Sequence, residues 1–201
     1  MAEGFDRDAL LEAFDEIGRA AVAAGTRLQI QVYGGSALML ASNFRFATEH
    51  VDIAEIGGEW PDWLRAVAAK IAVERGWGSD WLNDGVAFHL SALATHAEDH
   101  LEFGTFPRDG SEAGLVVCVP SAEYLLALKL KAMRVTDALR GDTERLDILN
   151  LMNVVGVETA DQAIAVLAKY FPVSAASSEK QRFLLKNMDR GGKSDAPEYP
   201  R

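Results

Sequence analysis

The hydrophobic pattern of this chain changes period once, and that change limits the folds open to it. Up to about Pro120, stretches that alternate apolar and polar residues interleave with stretches repeating every three to four residues. Beyond it only the longer period remains. A strand sends successive side chains to opposite faces, whereas a helix returns to one face every three or four residues. The pattern therefore predicts an α+β protein. Residues 1–120 form a mixed sheet flanked by helices, and residues 121–189 form a helical region packed on that core. The end, "DRGGKSDAPEYPR", is polar and rich in chain breakers. Residues 190–201 are expected to be a disordered tail.

The segments follow from spacing and punctuation. Leu10, Leu11, Phe14, Ile17, Ala21 and Val22 lie at helical spacing within residues 6–24, and Gly25 closes that helix. "RLQIQVYGG" alternates and ends in glycines, as a strand running into a turn does. "SALMLAS" reads as a short apolar helix and "EHVDIAEI" as a second strand. "PDWLRAVAAKIAVERG" opens with Pro61 and closes with Gly76, a helix bounded at both ends. "VAFHLS", "LEFGTF" and "GLVVCVP" read as three short strands. "PSAEYLLALKLKAMRV" begins the helical part, and "DTERLDILNLMNVVG", "TADQAIAVLAKYF" and "SSEKQRFLLKNM" continue it.

Charge and cysteine content bound the function. The 201 residues carry a formal net charge of -10, whereas nucleic-acid binders present a basic surface because phosphate contacts dominate their affinity. No bulk DNA binding is expected, and any RNA contact must use a local patch. One such patch exists, with Lys129, Lys131, Arg134, Arg140 and Arg145 in "LKLKAMRVTDALRGDTER". The apolar runs fall short of the roughly 20 residues that span a bilayer, so no membrane association is expected. The N-terminus is charged and amphipathic rather than leader-like. The single Cys118 forms no internal disulfide, which suits a cytoplasmic protein.

Four clusters bear on chemistry. Gly34-Gly35-Ser36 follows a strand and opens a helix. Small residues there let backbone amides approach a phosphate, and the helix N-terminus favours an anion. Without a following Gly-Lys-Ser/Thr it is not the lysine-containing phosphate loop. His50 and Asp52 are two apart in an alternating stretch and project to the same side. Asp52 is an oxygen donor of the kind magnesium prefers; His50 is better suited to a softer ion such as manganese. His96 and His100, four apart in "THAEDH", would share one helix face, though without the Glu that zinc proteases place after the first His. His89 reads as a strand residue. Lys129 closes an apolar run, where a lysine offers phosphate a point charge.

The order of these pieces resembles a family. "GGSAL", "RFATEHVDI", "PSAEYLLALKLKAMR" and "RLDILNLMNVVGVETADQAIAVLAKYFP", over roughly residues 28–188, are similar to the bacterial nucleotidyltransferase-like proteins. These include toxins of the AbiE type and their uncharacterised relatives, with a polymerase-β-like core. The resemblance implies that Gly35 and Ser36 hold an NTP, that Asp52 binds Mg2+ or Mn2+, and that Lys129 contacts phosphate. Arg134 falls in the same basic helix and is assigned to nucleotide binding, and Asp147 matches the later acidic residue. It further implies nucleotide transfer to an RNA or protein acceptor, a toxin–antitoxin or defence setting, and a cognate antitoxin as partner. His50 departs from the pattern, which has Asp there. Glu49 points to the opposite side, and Asp84 and Glu102 are candidates for a further carboxylate. Two readings stay open: an enzyme with an altered metal site, and a nucleotidyltransferase fold retained as a binding module.

Overall fold

The computed structural model describes residues 4–42, 44–54, 59–133, 141–187 and 199. They fall into two compact units. The first comprises Met1–Phe88 with His100–Val119, and the second His89–Asp99 with Pro120–Arg201.

The first unit is mixed α/β. In chain order it contains β1 (Phe5–Asp6), α1 (Arg7–Ala23), β2 (Leu28–Tyr33), α2 (Gly34–Ala41), β3 (Ala47–Thr48), β4 (Val51–Ala54), α3 (Asp62–Arg75) and β5 (Leu82–Asn83). A 3-10 turn at Gly85–His89 follows, and the chain returns as β6 (His100–Phe106) and β7 (Leu115–Pro120). Five strands form one sheet in the order β5-β4-β2-β7-β6, while β1 and β3 make a separate two-stranded ribbon. The sheet is mixed: β4 runs antiparallel to β2, β7 runs parallel to β2, and β5 runs parallel to β4. The alternation read in "QIQVY" and "VDIAEI" thus appears as a directly paired β2 and β4.

Register explains the core. Leu28 pairs with Leu115, Ile30 with Val117 and Val32 with Ile53, so these apolar side chains share one sheet face. Leu10, Phe14, Ile17 and Ala21 line the buried side of α1, and Phe14 meets Phe106 edge-on at 5.3 Å. Two glycines permit that approach. A Cβ on Gly18 would overlap the Phe106 carbonyl, and one on Gly114 would overlap the Gly18 carbonyl. Asp15 fixes the same junction, accepting from the Arg108 backbone N–H and guanidinium at 2.7 Å each. Helix α3 ends at Gly76, whose φ of +68° is the left-handed conformation that glycine adopts at no steric cost.

The second unit is helical: α4 (His96–Asp99), α5 (Ala122–Ala132), α6 (Gly141–Val155), α7 (Ala160–Tyr170), α8 (Pro172–Ala176) and α9 (Glu179–Asn187). Ser121 caps α5 by accepting from the Tyr124 N–H, and Thr159 with Gln162 forms a capping box at α7. Leu125, Leu126, Leu130, Leu151 and Leu167 are fully or almost fully buried.

Residues 89–99, which the sequence pattern groups with the sheet, belong to this helical unit. Tyr170 donates its phenol proton to buried Asp99 at 2.7 Å, Ser91 donates to the Tyr170 carbonyl at 2.6 Å, and the Ser91 N–H donates to the Tyr124 hydroxyl at 3.0 Å. Burial and the bond to Asp99 push the Tyr170 phenol up. Tyr199 is also buried, donating to the Pro120 carbonyl at 2.7 Å. The rest of the expected tail, residues 190–198 and 200–201, lies outside the described residues.

Three local expectations give way. "VAFHLS" is not a strand, because Asn83 accepts from the Gly85 N–H and the Asp84 carbonyl from the Ala87 N–H, closing the 3-10 turn. His96 and His100 do not share a helix face, since α4 ends at Asp99 and His100 opens β6. Helix α2 begins at Gly34 rather than at Ser36.

Candidate functional site

The β2–α2 turn is built by strand pairing. Tyr33, the last residue of β2, pairs with Asp52 of β4, so the glycines after Tyr33 lie directly beside Asp52. Gly34 has φ +66°, and a Cβ there would stand 2.8 Å from Asp52 Oδ2. The carboxylate therefore packs over the glycine backbone, in space that any other residue would fill. A Cβ on Gly35 would stand 3.0 Å from an Arg45 guanidinium nitrogen and 3.3 Å from its central carbon. A carboxylate and a guanidinium thus lie over two successive residues at the N-terminus of α2. Tyr33 is the N-cap of that helix and makes no capping bond with its side chain. Its hydroxyl instead lies 2.8 Å from His100 Nε2.

Ser36 and His50 are held differently from what their spacing suggests. Ser36 is fully buried, and its hydroxyl donates to the His50 carbonyl at 2.5 Å. Thr48 donates to the same carbonyl at 3.0 Å. The serine thus ties the first turn of α2 to the entry of β4. The His50 imidazole is half exposed, with Nδ1 4.0 Å from Asp80 Oδ2.

Gly35, Ser36, His50 and Asp52 all lie in the first unit, where Asp52 packs over Gly34 and Ser36 meets the His50 backbone carbonyl, while the His50 imidazole faces Asp80. Lys129 and Asp147 meet in the second, where Lys129 Nζ donates to Asp147 Oδ2 at 2.8 Å. Both are poorly accessible, at 12% and 2% exposure, so removing either partner of this ion pair between α5 and α6 would leave an uncompensated buried charge. Arg134 lies outside the described residues, as does Arg140. Among the described residues, no group of three or more His, Cys, Asp or Glu side chains converges as a metal cage. Asp84 follows β5, whose Asn83 pairs with Asp52, and Glu102 lies on β6 at the far edge of the sheet.

Two residues, one at the turn and one at His50, do not stand out in the sequence. Arg45 stands in the quoted "RFATEHVDI", seven residues before Asp52, and only the fold brings it onto Gly35. Asp80 is distant from His50 in sequence and is brought near by the pairing of Val51 with Leu82.

No protein-family model, curated protein or solved structure matches the chain. No single helix among the described residues is long and apolar enough to cross a membrane.

Proposed function

We propose that the first unit binds a nucleoside triphosphate at the β2–α2 turn, and that the chain is a nucleotidyltransferase-fold protein acting on an RNA or protein acceptor. The observation that carries this reading is the placement of Asp52 and Arg45 over Gly34 and Gly35 at the N-terminus of α2. Backbone amides at a helix N-terminus favour a phosphate, and a guanidinium beside them adds charge-assisted donors. Asp52 alone fits a magnesium ion that arrives with the triphosphate, because such sites commonly use one or two carboxylates plus substrate phosphates. When bound, the ion supplies neutralisation of phosphate charge. His50 suits manganese better than magnesium.

In this reading Gly34 and Gly35 leave room for Asp52 and Arg45 against the backbone, Arg45 holds phosphate oxygens, and Asp52 presents its carboxylate. An acceptor hydroxyl attacks the α-phosphorus, the bond to the β-phosphate oxygen breaks, and pyrophosphate leaves while the hydroxyl proton passes to solvent. Lys129 and Asp147 carry their roles from the family resemblance. So do the toxin–antitoxin or defence setting and the cognate antitoxin, whereas the proposed cytoplasmic location rests on the single cysteine.

A second reading, a binding module without transfer, is favoured by two observations. The position where the family pattern has a carboxylate holds His50, whose imidazole faces Asp80. The Ser36 hydroxyl, expected at the phosphates, is turned inward to the His50 carbonyl. Incubation with each α-labelled NTP and total RNA, in magnesium and in manganese, separates the two. Label appearing on RNA or on protein supports the transferase. NTP binding without label transfer in either metal supports the module, and no binding at all overturns both.

A further inference from the structure

Phe46 is 82% exposed although it is large and apolar. It follows Arg45, whose guanidinium lies over Gly35, and precedes β3, where Ala47 and Thr48 pair with Asp6 and Phe5. Upstream, Ser42 donates to the Leu38 carbonyl and accepts from the Phe44 N–H. The exposed ring is therefore carried on a segment anchored from both sides. Single apolar residues at a surface are common and need no explanation alone. The distinguishing feature here is position: the preceding residue, Arg45, meets the glycine turn.

We infer that Phe46 is the stacking platform for the base of the nucleotide whose phosphates occupy the β2–α2 turn. This inference rests on the nucleotide-binding reading of that turn. Adjacent residues then divide one ligand, with Arg45 on phosphate oxygens and Phe46 under the base. Every base presents a π face, so a bare aromatic ring accepts all four. A phenyl ring has no hydrogen-bonding atom of its own, so stacking on it discriminates weakly among NTPs, with purines ahead through their larger ring. A phenylalanine left to water also matches a ligand that leaves after each turnover.

The test is titration calorimetry of the full chain with magnesium and ATP, CTP or inorganic tripolyphosphate. Loss of base stacking by Phe46→Ala weakens ATP binding about tenfold, leaves tripolyphosphate unchanged, and is rescued by Phe46→Trp. Unchanged ATP affinity in Phe46→Ala overturns the inference alone. Equal weakening of ATP and tripolyphosphate also overturns it, because the loop rather than the ring is then responsible. So does unchanged ATP affinity with reduced label transfer to RNA, which moves Phe46 to the acceptor. A wild-type protein that binds neither ligand overturns the underlying nucleotide reading as well.

Discussion

Replacing Gly18 with alanine sets two opposed effects against each other in the middle of α1. Glycine inside a helix is about 0.5–1 kcal/mol less favourable than alanine, so the substitution is stabilising on an exposed surface. Gly18 is buried, however, and the added Cβ would overlap the carbonyl of Phe106 and lie 2.8 Å from the Pro107 nitrogen. These are backbone atoms and cannot rotate away, so α1 or the β6 end must shift. Overpacking of this kind costs about 1–3 kcal/mol. The balance is a net destabilisation of about 1–2 kcal/mol. All four tryptophans, Trp60, Trp63, Trp77 and Trp81, lie in the first unit, so their fluorescence during urea unfolding reports this unit. With a slope of about 2 kcal/mol per molar urea, the midpoint should fall by roughly 0.5–1 M. A midpoint that rises would refute the close approach of α1 to Phe106.

Lys129→Met should destabilise the second unit by about 3–5 kcal/mol, because it strands Asp147 at 2% exposure. Far-UV circular dichroism would follow this, and adding Asp147→Leu should recover much of the loss. The second unit should also lose stability as pH rises above 10. The phenols of Tyr124, Tyr170 and Tyr199 are all raised from their ordinary value of 10.0, so the unfolded chain releases these protons first. That stability is complete below pH 10 and declines above it, and Tyr170→Phe should flatten the slope measured by denaturation between pH 9 and 11. Gly35→Ala should leave the unfolding midpoint nearly unchanged, since the group it meets is the movable end of Arg45. It should nevertheless weaken nucleotide binding by displacing that guanidinium, as calorimetry would show.

The helices were legible where local chemistry closes them. Gly76 takes the left-handed cap, Ser121 accepts from the Tyr124 N–H, and Thr159 pairs with Gln162. Each signal lies within four residues of the feature it sets. Strand β2 was legible for a similar reason, since its alternation runs straight into Gly34. The segment "VAFHLS" misled because its alternation has no buried face to serve, and the turn-forming Asn83 and Asp84 decide the backbone instead. The ribbon of β1 and β3 is two residues per strand, too short for any period to show. At the candidate site the glycines and Asp52 stand out by type and spacing. The contacts of Arg45, Ser36 and Asp80 do not, because they depend on how β2, β4 and β5 pair. The burial of Asp147 against Lys129 is likewise a property of helix packing between distant segments.

The central claim, a nucleotide held at the β2–α2 turn, is tested most directly by calorimetry of three proteins with one non-hydrolysable NTP and magnesium. The wild type should bind. Arg45→Ala should bind roughly tenfold to a hundredfold more weakly, the loss expected for charge-assisted hydrogen bonds to phosphate. Asp52→Asn should lose the magnesium dependence of binding. A wild type that shows no binding, or two variants that bind as the wild type does, would contradict the account.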